Sequence, residues 1–206
     1  MTTTIKNSNL SAEINPFGAE LISLKSNNNK EYIWEGNPDF WGKHSPVLFP
    51  IVGTLKNNSY TINGKEYQLP RHGFARDMEF ELIDVTNLKE LETVFIKHHP
   101  ETVFHAAAYK HVPVLEKNYK QAIKVNVFGT KNCVDLSLKY GVHNFVFIST
   151  DKAVNPTNIM GASKRFAEML SHTAFNCKRN THKTQIVSTR FGNVLGSNGS
   201  VVHLFQ

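Results

Sequence analysis

Apolar and polar residues alternate in the first 83 positions of this 206-residue chain and recur with a helical period after them. In SAEINPFGAELISLKS, Leu10, Ala12 and Ile14 fall on one face of an extended segment, and Pro16-Phe17-Gly18 interrupts it. Asn27, Asn28 and Asn29 form a loop signal ahead of an expected strand over 31–34. In SYTINGKEYQL two alternating runs flank Asn63-Gly64, which predicts a hairpin closed by a type I′ turn. No helical period is sustained in this part, which reads as antiparallel β.

Beyond Asp84 the pattern changes. Leu88, Leu91, Val94 and Phe95 share one helical face, with Asn87 placed to cap the helix and Glu90 three residues on. Pro100 ends that helix, and TVFHAAA follows as a buried strand. A single long helix is expected over 119–140 with Gly141 as its C-cap, then a strand NFVFIST, a helix over 162–175 and a strand QIVSTRF. Strands alternating with helices of this length imply right-handed βαβ units and a parallel sheet. The expected fold is therefore mixed, a partial antiparallel β-sandwich segment (1–83) followed by a partial Rossmann-like α/β domain (84–206).

Charge sharpens this division. Residues 1–83 carry 8 Lys/Arg against 9 Asp/Glu, and the remainder 15 against 8. A basic second half suits an anionic ligand. Its basic residues are dispersed and not interleaved with aromatics, so a nucleotide-type small molecule is expected rather than nucleic acid. No apolar run reaches the roughly 18 residues of a membrane span. The N-terminus has no basic start followed by an apolar core, so a cytoplasmic location is the expectation. Cys133 and Cys177 both lie in apolar-periodic stretches and are expected to be buried small hydrophobes. The ten histidines show no closed ligand spacing, so no metal site is expected.

In a parallel sheet, ligands sit beyond the carboxyl ends of the strands. That rule selects His105-Ala106-Ala107-Ala108, Ser149-Thr150-Asp151-Lys152 and Arg190-Phe191-Gly192-Asn193. The alanines would let a cofactor approach the backbone. Thr150, Asp151 and Lys152 bring a hydroxyl, a carboxylate and an amine to one strand end, a set able to share proton transfers. A helix-capping loop with a surface ion pair would have the same local composition.

The ordered blocks HAAAYKHVPVLEKN, IKVNVFGTKN, FVFISTDKAVNPTNIMGASKR and STRFGNVLGSNGSVVHLFQ closely resemble the extended short-chain dehydrogenases/reductases. Within these, residues 84–206 are similar to the polysaccharide-biosynthesis group that includes the UDP-N-acetylglucosamine 4,6-dehydratases. The resemblance implies NADP (or NAD) as cofactor and a UDP-sugar as substrate, and leaves a homo-oligomer open. It implies that His105, Ala106, Ala107 and Ala108 line the cofactor, that Asn126 braces the site, and that Lys164 holds the nicotinamide ribose. Lys152 would remove the sugar C5 proton, Asp151 would protonate the departing hydroxyl, and Thr150 would relay the C4 hydroxyl proton. Met160 occupies the position of the usual tyrosine and offers no exchangeable proton. Arg190, Asn193 and Ser197 resemble contacts to the nucleotide-sugar.

FGAELISLKS, EYIWEGNPDFW and HSPVLFPIVGTLKNNSYTINGKEYQLPRHGFARD resemble the start of an aldose 1-epimerase (galactose mutarotase-like) protein. That resemblance implies an antiparallel β-sandwich and makes His72 a sugar-binding histidine. Thr54 stands where the family has arginine, and no counterpart of its later catalytic histidine and glutamate follows. Nor does the dehydratase-like part contain the family's Gly-x-x-Gly-x-x-Gly turn, which holds the cofactor pyrophosphate. The chain by itself is therefore expected not to retain NADP. Three readings stand: a nucleotide-sugar dehydratase-like protein, a non-catalytic chimera of two partial domains, and a carbohydrate-binding protein built on the β half.

Overall fold

The computed structural model describes residues 2–178 and 183–192. Its contacts divide the chain into two units, Met1–Leu82 and Ile83–Gln206.

In the first unit, β1 (Thr3–Lys6), β2 (Leu10–Asn15) and β3 (Glu20–Ser26) form an antiparallel sheet in the order β1-β2-β3. The Asn7 side chain accepts the N–H groups of Asn9 and Leu10 and so builds the first turn. β4 (Ser59–Ile62) and β5 (Lys65–Gln68) pair as the expected hairpin. Asn63 (φ 50°) and Gly64 (φ 79°) both take the positive φ that a type I′ turn requires.

The strand expected over 31–34 does not form; Glu31 makes only an isolated bridge to Lys25. The reason is its own side chain. The Glu31 carboxylate accepts from Ser23 Oγ at 2.5 Å and from the N–H groups of Leu24, Tyr32 and Ile33 at 2.8–3.1 Å. It thereby takes the Leu24 and Ile33 donors that a ladder would have used, while the Tyr32 N–H also keeps a 2.9 Å bond to the Leu24 carbonyl. Hydrogen bonds from Ser23 and Leu24 lead in holding this carboxyl down at about 2.

The second unit contains α1 (Leu88–His98), β6 (Thr102–His105), α2 (Val112–Lys117), α3 (Tyr119–Ala122), a π-helical segment Ile123–Gly129, α4 (Thr130–Lys139), β7 (Asn144–Thr150), α5 (Ile159–Lys178) and β8 (Gln185–Phe191). The three strands form a parallel sheet in the order β6-β7-β8. Asn87 caps α1 as expected, its side-chain oxygen accepting the N–H of Glu90 and its side-chain amide donating to the Glu90 carboxylate. Leu91 and Phe95 of α1, Cys133, Val134 and Leu136 of α4, Phe145 and Phe147 of β7, Ala167 of α5 and Ile186 of β8 close into one core.

Further expectations need correction. The strand expected as buried over TVFHAAA ends at His105, and of its residues Phe104 is 57% exposed. The helix expected to run unbroken over 119–140 contains the π-helical segment, which no apolar spacing reveals. α5 begins at Ile159, three residues early, because Glu116 accepts the Ile159 N–H (2.7 Å) and Asn158 accepts that of Gly161 (2.8 Å). Cys133 is buried, with its thiol pushed up to about 12 by burial, but Cys177 is exposed. Among the described residues, no helix is long and apolar enough to cross a membrane, and no cluster of side chains could hold a metal ion.

Candidate active site

β7 delivers Thr150, Asp151 and Lys152 to its carboxyl end, where they fold into a single 3-10 turn, Asp151–Ala153. One carboxylate oxygen, Asp151 Oδ1, organises the three. It accepts from Thr150 Oγ1 at 2.9 Å, from the Lys152 N–H at 2.9 Å and from Lys152 Nζ at 3.2 Å. Thr150 Oγ1 also accepts the Lys152 N–H at 3.3 Å. The hydrogen bond from Thr150, then that from Lys152, holds the Asp151 carboxyl below its ordinary value. Both charged side chains remain about half exposed, open to a ligand.

The turn rests on the first turn of α5. A Cβ at Gly161 would lie 2.4 Å from the Lys152 carbonyl oxygen, so this close approach requires glycine. One residue before it, Met160 is 5% exposed and packs with Leu115 and Ala122. Its role in this arrangement is packing. Lys164, one turn further along α5, is equally buried; its Nζ donates to the Ile148 carbonyl at 2.6 Å and lies 4.1 Å from the Phe147 ring centroid. Burial pushes this amine down to about 8, opposed by the charge of Glu168.

At the end of β6, His105 is buried between the β7 aromatics, stacked on Phe147 at 5.8 Å. Its Nε2 meets Thr130 Oγ1 at 2.9 Å, and that hydroxyl donates its one proton to the Asn126 carbonyl. Nε2 must therefore carry the hydrogen. Burial, then the charge of Lys164, pushes the imidazole down to about 4. His105 is thus a neutral core residue, while Ala106 and Ala107 beyond it are exposed. Asn126, at 1% exposure in the π-helical segment, ties this strand end to α5. It accepts the Tyr109 N–H (2.8 Å) and donates to the Tyr109 carbonyl (3.1 Å) and to Ser163 Oγ (3.0 Å).

Arg190, on β8 beside Ser149, makes a two-pronged ion pair with Glu168. Nε meets Oε1 at 2.8 Å and Nη2 meets Oε2 at 2.7 Å. Arg165 adds a contact at 3.2 Å. Burial acts to raise the Glu168 carboxyl, but hydrogen bonds, that from Arg190 foremost, prevail and hold it at about 2. Glu168 was not among the residues selected from the sequence. Its only signal is the spacing Lys164-x-x-x-Glu168, which places both on one helix face. Asn193 and Ser197 lie outside the described residues. His72 belongs to the Met1–Leu82 unit, where it takes a left-handed φ of 70° and its Nδ1 is hydrogen-bonded to the Val52 carbonyl.

A dinucleotide fits these residues at one end. The exposed alanines leave room beside the sheet. Lys164 uses one of its three donors on Ile148, leaving others for ribose hydroxyls. At the starts of α1 and α5 the N–H groups of Glu90, Ile159 and Gly161 are already engaged by Asn87, Glu116 and Asn158, so these donors are not offered to a pyrophosphate.

Residues 44–206 match the polysaccharide biosynthesis protein family, a match that begins well ahead of the change of pattern at Asp84. The probable polysaccharide biosynthesis protein EpsC of Bacillus subtilis is 48% identical over 163 residues, covering 78% of this chain and 26% of that protein. A UDP-N-acetylglucosamine 4,6-dehydratase (inverting) of Campylobacter jejuni is 37% identical over 181 residues, covering 87% and 53%. Among solved structures, Pen from Bacillus thuringiensis is 37% identical with a TM-score of 0.57, over 63% of this chain and 39% of that one. A galactose mutarotase related enzyme from Lactobacillus acidophilus is 51% identical over 39% of this chain and 27% of its own, with a TM-score of 0.38. The chain thus spans between a quarter and about half of the length of these curated relatives. By the match over 44–206, it belongs to the polysaccharide biosynthesis protein family and is related to the UDP-N-acetylglucosamine 4,6-dehydratases.

Proposed function

We propose that the Ile83–Gln206 unit carries the proton-transfer site of a nucleotide-sugar 4,6-dehydratase acting on a UDP-sugar of the UDP-N-acetylglucosamine type. The observation that carries this reading is the convergence of the Thr150 hydroxyl and the Lys152 amine on Asp151 Oδ1 at the carboxyl end of β7. NADP, when bound, would accept a hydride from sugar C4 and return it to C6. As Thr150 takes the C4 hydroxyl proton, it passes its own along its 2.9 Å hydrogen bond to Asp151. The ketone then at C4 acidifies C5–H, and Lys152 is the base that removes that proton. The resulting ammonium stands 3.2 Å from Asp151. Asp151 gives the proton it received through Thr150 to the C6 hydroxyl, which departs as water as the C5–C6 double bond forms, and the Lys152 ammonium returns its proton to C5 as C6 regains a hydride. Met160 supports the helix and exchanges no proton. Lys164 holds the nicotinamide ribose, and Asn193 and Ser197 remain proposed nucleotide-sugar contacts, whereas the Arg190 fork is engaged by Glu168.

One step of this sequence can be measured without hydride transfer. The chain is incubated in D₂O with the 4-keto-6-deoxy form of UDP-N-acetylglucosamine, and deuterium entry at C5 is followed by NMR. Exchange above the buffer rate, lost on Lys152→Ala, is the expected result. Exchange that is absent, or indifferent to Lys152, overturns the assignment.

A further inference from the structure

We infer that Glu168 and Arg190 form a positioning clamp that seats α5 against β8 and thereby fixes Lys164 over Phe147, so that Arg190 acts through Glu168 and not by touching a ligand.

The geometry is specific. Glu168 follows Lys164 by four residues on α5, its side chain is 3% exposed, and both its oxygens are taken by the planar fork of Arg190. A two-pronged pair fixes orientation as well as distance, which a single ammonium contact cannot do. Arg190 lies beside Ser149 in the sheet, one residue before Thr150 in β7. The clamp therefore joins three things: the helix bearing Lys164, the strand leading into the Thr150 turn, and β8.

It also sets the charge around Lys164. Among the described residues, the charged or titratable groups acting on this amine are His105 from β6 and Glu168 from α5, and Glu168 is itself paired with Arg165 and with Arg190 from β8. β7 contributes the Phe147 ring and the Ile148 carbonyl. Glu168 favours the ammonium, and Arg190 offsets that influence. A buried carboxylate stripped of its arginine would hold Lys164 charged more firmly. A neutral residue in place of Glu168 would release the amine.

The two halves of the clamp should thus shift Lys164 in opposite directions, whereas simple loosening of α5 would shift it one way only. The test is competitive acylation of the intact chain with acetic anhydride across pH, with the Lys164 peptide quantified by mass spectrometry. Relative to the unsubstituted chain, E168Q should label about tenfold faster near neutral pH and R190Q about tenfold slower, the change expected for a shift of one pH unit in the amine's midpoint. R190K keeps the charge but loses the fork. It should fall between the unsubstituted chain and R190Q, and serves as the arginine variant if R190Q does not fold. Shifts in the same direction, or none in either variant, overturn the clamp.

The inference of what Lys164 is positioned for rests on the dehydratase reading, and the same assay separates the two. Opposite shifts with no protection of Lys164 by NADP⁺ would retain the clamp and remove the ribose role. Protection by NADP⁺ with same-direction shifts would do the reverse.

Discussion

In the Ile83–Gln206 unit Val134, Phe145 and Phe147 are sealed from solvent, while in Met1–Leu82 Ile5, Phe40 and Trp41 stay more than half exposed. Among the described residues, the first unit buries only Leu69 and Ala75 of its hydrophobic side chains; the second closes ten residues into a continuous core. The difference follows from layering. The alternating strands of the first unit pair locally through turns that Asn7, Asn63 and Gly64 make cheaply. Pairing alone buries backbone and leaves one side-chain face uncovered, and a core needs a second layer. In the second unit α1, α4 and α5 supply that layer over β6-β7-β8. Function follows the same line: the candidate site stands where rigid elements can hold a carboxylate, an amine and a hydroxyl in fixed relation.

The sharpest test of this contrast is chemical. Lys152→Ala should lower C5 exchange by about 10²–10⁴-fold, the usual cost of removing a positioned acid or base. Met160→Ala should lower it far less, and Tyr67→Ala in the first unit should leave it unchanged. Equal losses from Lys152→Ala and Met160→Ala would remove the distinction between proton transfer and packing.

Next in size is the core itself. Phe147→Ala should cost about 3–5 kcal/mol in denaturant unfolding, as a large aromatic leaves a cavity. Tyr67→Ala, at an exposed cross-strand pair, should cost about 1 kcal/mol or less. Similar costs would mean that the first unit packs more tightly than its exposure shows.

The third test uses acid. His105 is neutral in the fold with its pKa at about 4, against an ordinary value of 6.5. Between these values the unfolded chain binds the extra proton, so the stabilisation is fully present above 6.5 and is lost as pH falls through 4. The loss amounts to at most about 3 kcal/mol. His105→Asn should remove this part of the pH slope, measured as the difference between the two chains' thermal melts. A slope that survives the substitution would place its origin elsewhere.

The smallest effect belongs to the first unit. Gly64→Ala forces a Cβ into a φ of 79° and should cost about 1 kcal/mol. The hairpin should open locally, seen as faster amide exchange in β4 and β5, with no change in β6-β7-β8.

The parts of this architecture legible in the sequence are those with a local cause. Asn87 and Glu90 announced the start of α1, Asn63-Gly64 the hairpin, and the β/α alternation the parallel sheet. Thr150, Asp151 and Lys152 were found because ligand sites follow strand ends, and they do meet on one oxygen. What escaped depends on side chains that act across the chain. Glu31 dissolved an expected strand by capturing its donors, and Glu116 lengthened α5 from 43 positions away. Arg190 and His105 were selected by position. Their partners, Glu168 and Thr130, are set by tertiary packing that no periodicity encodes.

The π-helical segment Ile123–Gly129 has a bearing on what lengths this helix can tolerate. A π turn accommodates one residue more than an α turn, and each residue of an α-helix advances its neighbours by about 100°. Excision of a single residue between Ile123 and Gly129 could be absorbed as an uninterrupted α-helix, with α4 left seated on its core. The helix on either side would keep its facing, and only residues within the segment, Asn126 among them, would be re-aimed relative to Tyr109 and Ser163. A length change that is harmless by the standard of helix continuity would thus unhook the strand end of β6 from α5, whereas point substitutions on the outer face of the same segment would not.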